Sequence, residues 1–173
     1  ALREKEATIQ RDQADGIDYA AGEITVSELV GRYMSLKRDI GHNTLRAYGT
    51  VINRIKESEL GQSKVRNVKL SDAKRFYIML HDSGSKRNTI SIDHSVLRPA
   101  FEMAVDDDMI RKNPFKFKIA DIIQDDSQKR TALTKVQQET YLRFIRENGQ
   151  DNYYDDIVIL LGTGLRVSEL YGL

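Results

Sequence analysis

Ile157-Val158-Ile159-Leu160-Leu161-Gly162-Thr163-Gly164-Leu165-Arg166-Val167-Ser168-Glu169-Leu170-Tyr171-Gly172-Leu173 decides how the rest of the chain is read. An apolar run, Ile157 to Leu161, enters a Gly-Thr-Gly break, and Arg166 comes next, where a new helix would start. That layout aims a guanidinium and the N–H groups of a helix start at one point. Such a point suits a phosphate, because the guanidinium fork and the helix dipole both favour an oxyanion. A purely structural reading fits the same residues: Arg166 can cap the new helix or pair with Glu169 one turn on.

Working outward, composition limits the classes of protein this can be. A chain of 173 residues holds one ordinary domain or two small ones. With 40% hydrophobic and 31% charged residues it is globular, neither disordered nor membrane-embedded. No apolar run nears the roughly 20 residues that span a bilayer, and no signal-peptide pattern opens the chain. Cysteine is absent, which excludes disulfides and cysteine zinc sites and fits the cytoplasm. His42, His81 and His94 are scattered without metal-ligand spacing, so no metal is expected. The net charge of +1 becomes informative once it is divided along the chain. Ile24 to Lys118 holds 18 Lys and Arg against 11 Asp and Glu, while the flanks together are acidic. A basic block between acidic flanks is the pattern of a polyanion-binding module, although solvated helices also carry surplus lysine.

Periodicity then gives the organisation. Residues 1–22 read as a polar linker helix, with Leu2, Ile9 and Ile17 recurring loosely and Gly22 as its stop. Residues 23–120 read as a small helical domain. Thr25-Val26-Ser27-Glu28 is a capping box, followed by an apolar face of Val26, Leu29, Val30, Tyr33 and Met34. Asn43-Thr44 opens a second helix with Leu45, Tyr48, Ile52 and Ile55 inward, and Gly61 to Val68 reads as a loop. Ser71 caps a third helix with Ala73, Phe76, Tyr77 and Leu80 inward, ending near Ser83-Gly84. A fourth runs from about Asn88 to Val105, where Pro99 is expected to kink or restart it. Asn113-Pro114 stops any short helix beyond that one. Residues 121–132 read as a charged interdomain linker. Thr134-Lys135-Val136-Gln137 is a second capping box opening a helix to about Glu147. The helix from Tyr153 to Leu161 turns apolar on all sides, as a helix buried in a larger body does. Residues 133–173 are too few to build that body, so the expectation is an incomplete second domain.

Thr163-Gly164-Leu165-Arg166, two variable residues, then Glu169-Leu170 resembles the first catalytic-arginine motif of the tyrosine recombinases, the phage-integrase family. The resemblance extends upstream. Asn43-Thr44-Leu45-Arg46-Ala47-Tyr48 is similar to the family's Thr-x-x-x-Tyr helix, and residues 107–115 to its acidic-to-Asn-Pro domain end. Arg130-Thr131-Ala132-Leu133-Thr134 is similar to its entry into the catalytic domain. Residues 2–6, 15–19 and 111–115 most resemble integrases of conjugative transposons. The resemblance implies a mainly α fold: a core-binding domain followed by the truncated start of a catalytic domain. It implies DNA cleavage and rejoining through a 3′-phosphotyrosine without metal, ATP or other cofactor, on double-stranded transposon ends and target. It further implies self-association on DNA, no membrane, and a bacterial cytoplasmic, nucleoid-associated location. Arg166 would stabilise the charged phosphate transition state and Glu169 would support it. The family's second arginine, its His or Lys partner, the catalytic Lys and the nucleophilic Tyr would all lie past Leu173. Tyr171 is expected to pack in the core rather than act as nucleophile.

Candidate DNA contacts lie at helix starts, where backbone N–H groups and small hydroxyls meet phosphates: Asn43, Thr44 and Arg46 at one, Lys86, Arg87, Asn88 and Thr89 at another. His94 and Arg98 lie further along the second helix, at positions that major-groove readout would use, and Lys129 and Arg130 sit on the linker. Each also fits surface solvation or capping. A non-catalytic helical DNA-binding regulator explains the basic block but not the motif after the linker. Another phosphate-handling enzyme is disfavoured, because no Gly-x-x-x-x-Gly-Lys-Ser/Thr loop or dinucleotide fingerprint is present.

Overall fold

Thr25 shows how local chemistry sets a helix start. Its hydroxyl accepts the Glu28 N–H at 3.2 Å, while the Glu28 carboxylate accepts the Thr25 N–H at 2.7 Å. Two otherwise unpaired backbone donors are thereby satisfied, and the bonds from Thr25 hold the Glu28 carboxyl below its usual range. Helix α1 (Val26–Ser35) starts there and buries Val26, Leu29 and Val30. The computed structural model describes residues 16, 18, 20–127, 130–149 and 151–172. These fall into two compact units that divide between Ser127 and Gln128. The fold is mainly α, and the sole extended pairing among the described residues is an isolated antiparallel bridge between Thr25 and Lys64. Most of the expected N-terminal linker helix lies outside the described residues; Ala21–Glu23 at its end is a 3₁₀ turn.

In the first unit, α1 is followed by α2 (His42–Glu57), α3 (Glu59–Gln62), α4 (Leu70–Asp82) and α5 (Arg87–Asp106). The longest, α5, buries Ile90, Val96, Leu97, Ala100, Phe101 and Ala104, and packs against α1, α2 and α4. Tyr77 and Phe115 are fully buried beside it, with Tyr77 meeting Phe115 edge-on at 5.9 Å. Four expectations need correction. The stretch read as a loop after residue 60 instead forms α3 and a 3₁₀ turn, Val65–Asn67, which bury Leu60 and Val65. Leu45 is 56% exposed rather than inward, because the core takes Val51 and Ile55 from the far end of α2. Ser71 lies inside α4, whose start is set at Lys69, where the Asp72 carboxylate accepts the Lys69 N–H at 3.0 Å. Of the kink or restart expected at Pro99, the restart does not occur, since α5 runs unbroken through it. A proline removes one backbone donor, and buried side chains on both sides hold the helix through that gap.

Gly61 is a close approach: a Cβ there would lie 1.8 Å from the Ile55 carbonyl oxygen. The chain after α5 is pinned by Asn113, whose amide donates to the Arg98 carbonyl at 2.8 Å and the Glu102 carboxylate at 2.7 Å. Its oxygen accepts the Phe115 N–H at 2.8 Å, which seats Phe115 in the core. Residues 121–127, read as the start of a linker, give Ile123 to that core and Asp125 and Asp126 to ion pairs.

The second unit holds α6 (Lys135–Glu147), α7 (Tyr154–Thr163) and α8 (Val167–Leu170). Thr134 and Gln137 form the expected reciprocal cap, with bonds of 3.3 and 2.9 Å. Ile145 is buried, and the Arg146 guanidinium lies 4.3 Å from the centre of the Tyr154 ring. The apolar α7 is not buried within these residues, with Val158 39% and Ile159 41% exposed.

Candidate active site and nucleic-acid interface

Gly164 makes the turn that presents Arg166. It ends α7 in the left-handed conformation, φ 72°, and its N–H reaches the Leu160 carbonyl at 2.9 Å. Glycine adopts that conformation without a Cβ penalty. Thr163 braces both sides, its hydroxyl donating to the Ile159 carbonyl at 2.6 Å and accepting the Leu165 N–H at 3.3 Å. Arg166 then sits extended at the start of α8. The Glu169 carboxylate takes the Arg166 N–H at 2.8 Å through one oxygen and the guanidinium Nη1 at 2.9 Å through the other. The Arg166 side chain is 82% exposed, so its remaining donors face solvent. With only four residues in α8, the helix itself adds little field, and the expected convergence of dipole and guanidinium reduces to the guanidinium. What remains is an oriented cation, fixed from behind by Glu169 and open in front. Of the structural reading, the pair with Glu169 is therefore also present, while the Arg166 side chain makes no capping bond.

Tyr171 corrects an expectation. It is 68% exposed instead of packed in a core, and its hydroxyl donates to Asp156 at 2.6 Å. That bond to a carboxylate raises the Tyr171 hydroxyl above its usual range.

In the first unit, Asn43, Thr44 and Arg46 are exposed on the first turns of α2, which has Gly41 as N-cap and no acidic residue in its first turn. Lys86, Arg87, Asn88 and Thr89 begin α5, with Lys86 and Asn88 exposed and Arg87 and Thr89 half-buried. Arg98 is exposed further along. His94 does not join that surface. Its Nδ1 lies 3.2 Å from the Tyr77 hydroxyl, and its ring packs beside Tyr77 and Phe117. Burial, with help from Arg98, lowers its pKa and favours the neutral ring. Arg130 is exposed, and Lys129 lies outside the described residues.

Two charged features were not legible in the sequence. Asp93, fully buried on α5, accepts from Arg54 Nη1 on α2 through both carboxylate oxygens, at 2.7 and 2.6 Å. Burial raises the Asp93 carboxyl and Arg54 counters it. At the start of α5, Asp126 and Asp125 reach the very residues read as phosphate contacts. Asp126 accepts the Arg87 N–H at 3.2 Å and lies 3.7 Å from Lys86 Nζ; Asp125 lies 3.7 Å from Arg87 Nη1. No local pattern signals either pairing, because each joins residues 39 positions apart or nearly so. Among the described residues no acidic or histidine cluster could hold a metal ion, and no helix is long and apolar enough to cross a membrane.

Comparison with known proteins adds direct relatives, while no family model matches the chain. The transposase from transposon Tn916 of Enterococcus faecalis is 35% identical over 174 residues, covering 100% of this chain and 43% of that protein. A tyrosine recombinase XerC-like protein of Caldanaerobacter subterraneus subsp. tengcongensis is 30% identical over 122 residues, 70% of this chain and 31% of that protein. Among solved structures, the Tn1549 transposon integrase in complex with circular intermediate DNA matches with a TM-score of 0.82 and 39% identity. That match covers 87% of this chain and 49% of the integrase chain. The chain thus spans less than half the length of the curated relatives it matches.

Proposed function

The chain belongs to the tyrosine recombinase family, in its conjugative-transposon integrase branch, and on that premise we propose that it is the DNA-gripping and first-arginine portion of a mobile-element integrase. The whole enzyme cuts and rejoins double-stranded DNA through a 3′-phosphotyrosine, assembling in several copies on transposon ends in the bacterial cytoplasm. The first unit is the core-binding domain, and the second begins the catalytic domain. The observation that carries the reading is Arg166, an exposed guanidinium held by Glu169 inside the Thr163–Leu170 motif. Its fork donates to the non-bridging oxygens of the scissile phosphate, where charge builds as a tyrosine attacks. Glu169 fixes the fork's direction, and so removes part of the ordering cost at the moment of reaction. Exposed Asn43, Thr44, Arg46, Lys86 and Asn88, half-buried Arg87 and Thr89, and the linker cations Lys129 and Arg130 are assigned to DNA phosphates, and exposed Arg98 to the major groove.

The family's remaining catalytic groups are assigned to the part of the protein this chain does not span. The 173-residue chain should therefore bind duplex DNA and leave it uncut. Incubation with a suicide substrate carrying the element's end tests this: a shifted non-covalent complex without adduct is expected. A stable phosphotyrosyl adduct on this chain would overturn the division of labour.

A further inference from the structure

We propose that Asp125 and Asp126 form a phosphate-mimicking latch on the start of α5, closed without DNA and displaced by it. The inference rests on the assignment of Lys86 to Thr89 as phosphate contacts. α5 is 20 residues long, has no acidic residue in its first turn, and its N-cap Lys86 supplies no capping side chain. An anion is favoured at such a place. The group that fills it comes from far along the chain: Asp126 accepts the Arg87 N–H at 3.2 Å and pairs with Lys86 at 3.7 Å. Asp125 pairs with Arg87 at 3.7 Å, and bonds from Ser127 keep its carboxyl below the usual range, hence charged. Two carboxylates thus satisfy a backbone N–H, an ammonium and a guanidinium, the donor set a DNA phosphate would use.

The contact is built to open. Lys86 is 73% and Asp125 64% exposed, the pairs are longer than tight hydrogen bonds, and solvent screens them. A DNA phosphate brings a comparable charge together with its neighbours along the backbone, so duplex binding outcompetes the two carboxylates. The chain leaves the first unit at this point, and displacement of the latch therefore couples phosphate contact to release of the segment that leads to the second unit.

The test measures duplex affinity by fluorescence anisotropy for the whole chain and four variants. Asp125→Asn with Asp126→Asn removes the competing charges while Asn can still cap the helix. Asp106→Asn with Asp107→Asn makes the same change in net charge at the other end of α5. Lys86→Ala with Arg87→Ala removes the phosphate contacts. The latch variant should bind roughly threefold to tenfold tighter than wild type, the size of two exposed ion pairs, and clearly tighter than the charge control. Asp125→Asn alone, which touches no helix backbone, should show part of the gain and covers loss of folding in the double variant. Equal affinity of the latch variant and the charge control, with Lys86→Ala/Arg87→Ala binding weakly, overturns the latch and leaves the phosphate assignment standing. Unchanged binding by Lys86→Ala/Arg87→Ala overturns both.

Discussion

Replacing Arg166 by alanine separates a catalytic arginine from a structural one, because the geometry fixes how much folding can depend on it. The side chain is 82% exposed and its partner Glu169 45% exposed, joined by one bond of 2.9 Å at i,i+3. Exposed pairs of this spacing contribute about 0.3–0.5 kcal/mol. The Glu169 cap on the Arg166 backbone N–H survives the substitution, since it does not involve the side chain. A melting shift of about 1–2 °C is therefore the most that folding should show. Cleavage is another matter. A donor aimed at developing charge is worth roughly 3–4 kcal/mol, or about a hundredfold to a thousandfold in rate. Duplex affinity should fall little, since one phosphate contact among many is lost. Arg166→Lys should rescue cleavage poorly, because an ammonium cannot reproduce the bidentate fork, and Glu169→Gln should be milder because an amide oxygen can still accept. The assay compares melting temperature, gel-shift affinity and suicide-substrate cleavage for the full-length protein and these variants. Near-normal cleavage by folded Arg166→Ala would refute the catalytic assignment. A melting loss of many degrees would place the residue in the fold instead.

Salt, a buried ion pair and two glycines give further expectations. Log affinity for duplex DNA should fall steeply with log salt, by about 0.9 per phosphate neutralised; a flat anisotropy titration would mean the basic first unit is only a solvated surface. Arg54→Met strands a buried Asp93, at a cost of about 3 kcal/mol near neutral pH, the low end for a broken buried pair because Arg54 is a quarter exposed. Asp93's folded pKa is raised, so the protonated form suits the fold. The penalty of its charge is absent below the unfolded pKa and grows as pH rises through the folded one. Melting curves should accordingly show the Arg54→Met deficit shrinking on acidification, and a deficit independent of pH would contradict this. Gly61→Ala should destabilise by about 1–3 kcal/mol, since the neighbour it strikes at 1.8 Å is a backbone carbonyl. Gly49→Ala in α2 meets nothing within 4 Å and should stabilise by about 0.5–1 kcal/mol in the same melts.

What the sequence determined by itself was whatever closes within a turn or two of chain. The Thr25–Glu28 and Thr134–Gln137 caps are reciprocal bonds between residues three apart, so residue type and spacing suffice to find them. The Gly164 turn and the Arg166–Glu169 pair are local for the same reason, which is why the decisive motif was legible before any packing was known. Tertiary structure alone decided the rest. His94 shares its helix with the candidate DNA contacts in sequence, yet its ring faces Tyr77 and Phe117 once α4 and the chain after α5 close around it. Leu45 belongs to the apolar series of α2 but, among the described residues, lies where no other helix comes to cover it. Asp93, Asp125 and Asp126 read as ordinary acids until folding sets them against Arg54, Arg87 and Lys86. Periodicity tells which face of a helix is apolar. It cannot tell how much of that face a neighbour covers, or which distant charge arrives there, because both depend on where the other helices come to rest.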